Sequence, residues 1–187
     1  MTVPPGVRVR EACTEDLQSI AAIYAHHVRH GLASFEETPP DVAEIGRRFE
    51  ALVGAGLPYL AAEIGEGIVA GYAHAGPYRP RPAYRFTVEN SVYVAPDSAR
   101  RGIGRALLGE LIRRCTALGY RRMVAIIGDS ENHPSIRLHD TFGFSHAGTL
   151  PSVGFKFGRW VDSVIMQRPL GTGDENTPGA PPTGWRE

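Results

Sequence analysis

Two places in the chain gather residues able to do chemistry. The first is Arg100-Arg101-Gly102-Ile103-Gly104-Arg105, with three arginines and two glycines in six residues. Glycine lets the backbone turn tightly and approach a ligand without a Cβ in the way. Arginine offers charge-assisted bonds to phosphate, and a helix starting directly behind supplies free N–H groups and a favourable dipole. That combination suits a pyrophosphate. A dinucleotide fingerprint would need a third glycine at 107, where Leu107 stands, and the chain has no Gly-Lys-Ser/Thr triplet for a Walker loop. On these six residues alone, a plain turn with solvated arginines competes with a ligand loop.

The second place is Glu89, a carboxylate in the middle of an apolar strand pattern, where carboxylates are rarely put without a partner or a purpose. Alternation puts Thr87, Glu89, Ser91 and Tyr93 on one face, against Phe86, Val88, Val92 and Val94 on the other. Burial would raise the Glu89 pKa and make it a better base near neutrality; the competing reading is a surface strand with Glu89 solvated. His26 and His30 lie four apart on a helix, the spacing of a metal pair. No carboxylate joins them in a zinc-enzyme pattern, so no metal is assigned.

The elements that must hold these groups follow from periodicity. A strand over Val7–Glu11 leads to Thr14 as a helix N-cap, with Leu17, Ile20, Ala21, Tyr24 and Val28 at helical spacing and Gly31 as the stop. Thr38, before Pro39-Pro40, opens a second helix carrying Val42, Ile45, Phe49 and Leu52. Strands at Tyr59–Ile64 and Ile68–His74 flank Gly65-Glu66-Gly67 as a hairpin, and Gly76–Pro82 reads as a stiff loop. A strand over Arg85–Val94 precedes the anion loop. The helix Gly104–Leu118 follows with one broad apolar stripe and Gly119 as its stop. Met123–Ile127 is a central strand, a short helix ends at Gly143, and strands over Phe144–Leu150 and Val161–Arg168 close the domain. The order β-α-α-β-β-β-α-β-α-β-β is that of one α/β domain with a mixed sheet over residues 1–170, and residues 171–187 read as a disordered Gly/Pro-rich tail.

Composition narrows the partners. Twenty basic residues balance twenty acidic ones, so no net field points to nucleic acid or to an anionic membrane, and the basic cluster at 100–105 is local. No run of eighteen apolar residues spans a membrane, and Met1–Arg10 has no apolar stretch of a leader. Cys13 and Cys115 lie far apart, without a CxxC pair, and Cys115 sits on an apolar helix face as a buried free thiol. A reduced cytoplasm is the expected location.

The segment Arg100–Leu108 resembles the acyl-CoA pyrophosphate motif of the GNAT N-acetyltransferase superfamily. Three further stretches are similar to its phosphinothricin N-acetyltransferase branch: Tyr84–Val94, Val124–Gly128 on to Asn132–Asp140, and Gly154-Phe155-Lys156-Phe157-Gly158-Arg159-Trp160 with Asp162. The resemblance runs from about residue 7 to 170. It departs at Ala99, where the superfamily motif usually has Gln or Arg; Arg100 or Arg101 would supply the side-chain contact instead.

The resemblance implies a mostly antiparallel sheet splayed at an acetyl-CoA site and flanked by helices. It implies acetyl-CoA as co-substrate, held by Arg100, Arg101, Gly102, Ile103, Gly104 and Arg105, by the strand Val92-Tyr93-Val94 pairing with the pantetheine arm, and by Asn132 and Ser135. Counting four residues back from Gly143-Phe144 lands on His139, associated in the branch with the glutamate; imidazole titrates near neutrality and relays protons. The loop Pro77–Tyr84 resembles the substrate loop, with Arg81 pairing to a carboxylate or phosphinate, Tyr84 and Tyr93 beside it, and Phe35 as an aromatic lid. Plain alternatives stand beside these roles: His139 packing in its helix, Arg81 solvated, Phe35 in the core. The expected activity is transfer of acetyl to the α-amine of a small amino-acid-like acceptor such as phosphinothricin or methionine sulfoximine, in a detoxifying homodimer. A non-catalytic acetyl-CoA-binding module, or an acetyltransferase for an antibiotic amine, a polyamine or a protein N-terminus, is the competing function.

Overall fold

The computed structural model describes residues 6–65 and 67–182; Glu66 of the expected hairpin turn and Trp185 of the expected tail lie outside the described residues. The elements are β1 (Val7–Glu11), α1 (Leu17–His30), α2 (Val42–Gly54), β2 (Tyr59–Ile64), β3 (Ile68–Pro77), β4 (Thr87–Val94), α3 (Ile103–Ala117), β5 (Arg122–Gly128), α4 (His133–Thr141), β6 (Ser145–Lys156) and β7 (Arg159–Pro169). They build one seven-stranded sheet in the order β1-β2-β3-β4-β5-β7-β6, antiparallel throughout except between β4 and β5.

That parallel pair decides where a ligand enters. Its ladder runs from Thr87 opposite Arg122 to Asn90 opposite Ala125 and stops there. Beyond it β4 stays paired to β3, with Ser91 opposite His74 and Val94 opposite Gly71, while β5 stays paired to β7. The two halves of the sheet therefore part at Ser91 and Ile126, leaving a wedge at its centre.

The two faces carry different cores. Leu107, Leu108, Leu111 and Cys115 of α3 bury against Val88, Met123 and Ala125, with Ile136 and Leu138 of α4 at the margin. On the other face Ile20 and Ile23 of α1 and Phe49 of α2 pack on Tyr59 and Tyr72. Gly71 lets α3 sit low over the splay: a Cβ there would lie 2.8 Å from the Tyr93 carbonyl oxygen and 3.0 Å from Ile103.

Several boundaries differ from the sequence reading, each for a local reason. Thr14 does not cap α1. Thr14–Asp16 form a 3-10 turn instead, because the Asp16 carboxylate accepts the Cys13 N–H at 2.9 Å and is held by Arg10 at 2.6 and 2.8 Å. Asp41 rather than Thr38 caps α2, accepting the Glu44 N–H at 2.7 Å. β3 continues past His74 to Pro77, where it meets Val88. β4 starts at Thr87 because Pro82–Tyr84 winds a 3-10 turn closed by the Arg85 N–H on the Pro82 carbonyl. β6 runs on to Lys156, past the expected end at Leu150; it is an edge strand, so its register can shift around Pro151 without breaking an inner ladder. Residues 171–182, part of the stretch expected to be a tail, turn back on the body: Asp174 pairs with Arg122 at 3.2 Å and Asn176 accepts from Arg121.

Candidate active site

The anion loop lies at one mouth of the wedge. Gly102 is the N-cap of α3, with φ of 77°, and no side chain caps it. Arg100 also takes a left-handed φ, of 61°. Left-handed residues on either side of Arg101 turn the loop tightly into α3, whose first amides have no acceptor within their own helix. A groove of about 890 Å³ opens on them, lined along its length by Val92–Val94, Arg100, Gly102–Arg105, Asn132 and Ser135. Gly104 keeps it open, since a Cβ there would stand 3.3 Å from Leu138. The groove thus offers backbone donors, a helix N-terminus and two arginines, which fits a pyrophosphate. Arg101 is exposed and does not line it.

The splay supplies the second feature. Asn90 is the last β4 residue to face β5 in the ladder, so alternation turns the backbone groups of Val92 and Val94 toward the same gap. The Val94 carbonyl accepts from His27 Nε2 at 2.9 Å, while the Val92 edge lies beyond the ladder. A ligand arm entering the groove can pair with this edge as a strand would.

A smaller cavity of about 260 Å³ continues inward from the groove, sharing Ala33, Val92, Tyr93, Gly128, Asn132 and Ser135 with it. Glu89, Phe35 and His139 line it. The Glu89 carboxylate makes no hydrogen bond among the described residues. Burial pushes its pKa above the usual carboxylate value, and the charge of Arg79 pulls it part of the way back. His139 is only 4% exposed. Its Nδ1 faces the Ser135 carbonyl at 2.8 Å and its Nε2 faces Asn90 Oδ1 at 3.0 Å. Asn90 Nδ2 donates to the Val124 carbonyl at 3.0 Å, which fixes Oδ1 toward the imidazole. Both ring nitrogens therefore meet acceptors. A neutral ring donates to one of them, and a second proton completes the other bond, although burial holds the pKa below the ordinary histidine value. His139 is thus hydrogen-bonded to Asn90 and Ser135, not to Glu89.

The remaining expected residues divide. Phe35 is 42% exposed and seats its ring against Gly154 and Gly128 at the cavity wall. Tyr93 packs its ring on Tyr24, Tyr72 and His27, with centroids 5.1, 5.4 and 5.3 Å away. Asn132 caps α4, accepting the Ser135 N–H at 3.3 Å and donating to the Gly128 carbonyl at 3.4 Å. Arg81 and Tyr84 are exposed and line neither cavity; Tyr84 meets Tyr78 edge-on. Arg79, from the same loop, is the cation whose charge reaches Glu89. His26 and His30 have ring centroids 5.0 Å apart, and among the described residues no group of three His, Cys, Asp or Glu gathers to hold a metal.

Sequence reasoning missed Asn90, His27 and Lys156. Asn90 did leave a signal, as a polar residue on the strand face shared with Val88 and Val92. Nothing in the local sequence pairs His27 with a carbonyl 67 positions away.

Comparison with known proteins agrees with this geometry. Residues 20–144 match the acetyltransferase (GNAT) family model. Phosphinothricin N-acetyltransferase of Alcaligenes faecalis is 56% identical over 170 residues, covering 91% of this chain and 86% of the relative. The L-methionine sulfoximine/L-methionine sulfone acetyltransferase of Pseudomonas aeruginosa is 44% identical over 85% of this chain and 92% of its own. Among solved structures, a phosphinothricin acetyltransferase from Sinorhizobium meliloti in complex with acetyl-CoA superposes with a TM-score of 0.89 at 48% identity, covering 93% of this chain and 94% of that one. A splayed sheet, a glycine loop capping a helix at the splay and relatives of this identity along nearly the whole length make the chain a member of the GNAT family, an acetyl-CoA-dependent N-acetyltransferase.

Proposed function

We propose that the protein transfers acetyl from acetyl-CoA to the α-amine of a small amino-acid-like acceptor of the phosphinothricin or methionine sulfoximine kind, by direct attack in a ternary complex. The observation that carries this reading is Glu89, a half-buried carboxylate with no hydrogen-bond partner among the described residues, with raised pKa, on the wall of a cavity that opens into the cofactor groove. The groove residues Arg100, Gly102–Arg105 and the Val92–Val94 edge hold the co-substrate, with Asn132 and Ser135 at the far wall; Arg101 gives long-range charge only. Glu89, directly or through a water, takes a proton from the acceptor ammonium. The free amine attacks the thioester carbon, a C–N bond forms, the C–S bond breaks, and the proton that the nitrogen sheds on becoming an amide neutralises the departing thiolate, with His139 on the cavity wall as its relay. The N–H of Val92 stabilises the oxyanion. Arg79, with Arg81 further out on the same loop, favours an acceptor that carries an anionic group and repels polyamines. Phe35 borders the acceptor at the cavity wall, Tyr84 stands outside it on the same loop as Arg81, and Tyr93 shapes the wall beneath it.

Residues 1–170 form the catalytic domain, with 171–187 as an appended tail, and a cytoplasmic detoxifying role suits two free thiols. The chain pairs as a homodimer through the β6–β7 hairpin, where Leu150, Val153, Phe155, Phe157 and Trp160 stand exposed, Trp160 by 65%. The test of activity is product analysis after incubation with acetyl-CoA and a panel of α-amino acids, polyamines and antibiotic amines. N-acetylated phosphinothricin or methionine sulfoximine is expected; product only on polyamines, or on no amine, overturns the reading.

A further inference from the structure

The chain runs from α1 to α2 through residues 31–41, and four of its first five residues form walls of the two cavities. Gly31, Leu32 and Ala33 line the cofactor groove, and Ala33 and Phe35 line the inner cavity. No secondary structure holds this segment. Three positions on distant strands are shaped to it instead. At the end of β5, a Cβ on Gly128 would lie 2.1 Å from the Leu32 carbonyl oxygen and 3.1 Å from the Phe35 ring. On β6, a Cβ on Gly154 would lie 2.5 Å from the same ring. Neither glycine has positive φ, so close approach rather than backbone freedom requires them.

The third position is Lys156, two residues beyond Gly154. Its side chain is among the most buried of the molecule, at 2% exposure. The ammonium donates to the Gly31 carbonyl at 3.0 Å and to the Ser34 carbonyl at 2.7 Å, and it sits 4.9 Å from the centroid of the Phe157 ring. It has no carboxylate within salt-bridge distance among the described residues. A buried cation whose hydrogen bonds go to backbone oxygens is costly to keep, and deleting it leaves those carbonyls unpaired.

We propose that Lys156 is a positioning residue of the acceptor site: it ties the backbone of residues 31–34 to the β6–β7 hairpin and so fixes the Phe35 ring against Gly154 at the cavity wall. The inference rests on the reading of that cavity as the acceptor pocket. It ties specificity to a hairpin more than 120 residues from the lid it holds.

The test is a double-mutant cycle on purified full-length protein, with phosphinothricin as acceptor and thiol release as readout. Lys156→Met is expected to raise the acceptor KM about tenfold, well above its effect on the acetyl-CoA KM. In a Phe35→Ala background it is expected to add almost nothing, since coupled residues are non-additive. Gly154→Ala, which keeps the lysine but intrudes on the ring, should behave in the same way and serves if Lys156→Met fails to fold. Additive effects in both cycles overturn the proposal. Hydrogen exchange of the peptide covering 31–36 gives an answer without turnover: it should speed up by about tenfold or more in Lys156→Met, while α3 stays protected. An unchanged rate there overturns the proposal, whereas a wild type that acetylates nothing, with the exchange result as expected, overturns only the functional reading.

Discussion

At the scale of single residues, Glu89 carries an energetic penalty that the fold tolerates. Its folded pKa lies above the ordinary carboxylate value because burial disfavours the charge. A carboxyl whose folded pKa exceeds its unfolded value costs stability when ionised. That cost is present above the raised pKa and disappears as the pH falls below the unfolded value. Glu89→Gln should therefore raise the melting temperature at pH 8 by about 2–4 °C, with the gain fading toward pH 4, as followed by circular dichroism. An unchanged or lower melting temperature at pH 8 would mean that the carboxylate is stabilised where it stands. Sequence alternation found this residue because a charge in an apolar run is conspicuous. It did not find the Asn90 amide that orients His139, which depends on how β4 meets β5 and α4. Nor did it find that Arg79 is the cation whose charge reaches Glu89, which depends on how the β3–β4 connection folds around Pro80 and Pro82.

At the scale of elements, the helices and inner strands were legible to within a few residues because each buries one face. The α3 stripe Leu107, Leu108, Leu111, Cys115 is buried as its spacing requires, and β5 is buried along most of its length. The errors fall where burial stops being periodic. β6 carries mostly exposed residues on both faces and shifts register twice, so its pattern stops looking like a strand at Pro151 although pairing continues to Lys156. The start of α1 was misplaced because a bidentate Arg10–Asp16 pair outcompetes the hydroxyl of Thr14. The splay itself has no signature in one strand. It follows from β4 and β5 choosing different partners beyond Asn90 and Ala125, a property of the sheet.

At the scale of the whole molecule, the exposed apolar side chains of the β6–β7 hairpin lie on the edge of the sheet, where an unpaired strand invites a partner. Sedimentation analysis should find a dimer of the wild type, and Phe155→Glu combined with Trp160→Glu should yield a folded monomer; a monomeric wild type would contradict the assembly. Groove, cavity and carboxylate together make one claim: acetyl transfer to an α-amine assisted by Glu89. Its most direct test is the pH profile of kcat/KM for thiol release from acetyl-CoA with phosphinothricin, wild type against Glu89→Gln. Because the base must be ionised, the wild-type rate should fall as pH drops through a pKa above the ordinary carboxylate value. Glu89→Gln should lack that limb and be slower by about 10²–10⁴-fold near neutrality. A Glu89→Gln enzyme with the wild-type rate and the same acid limb would contradict the account.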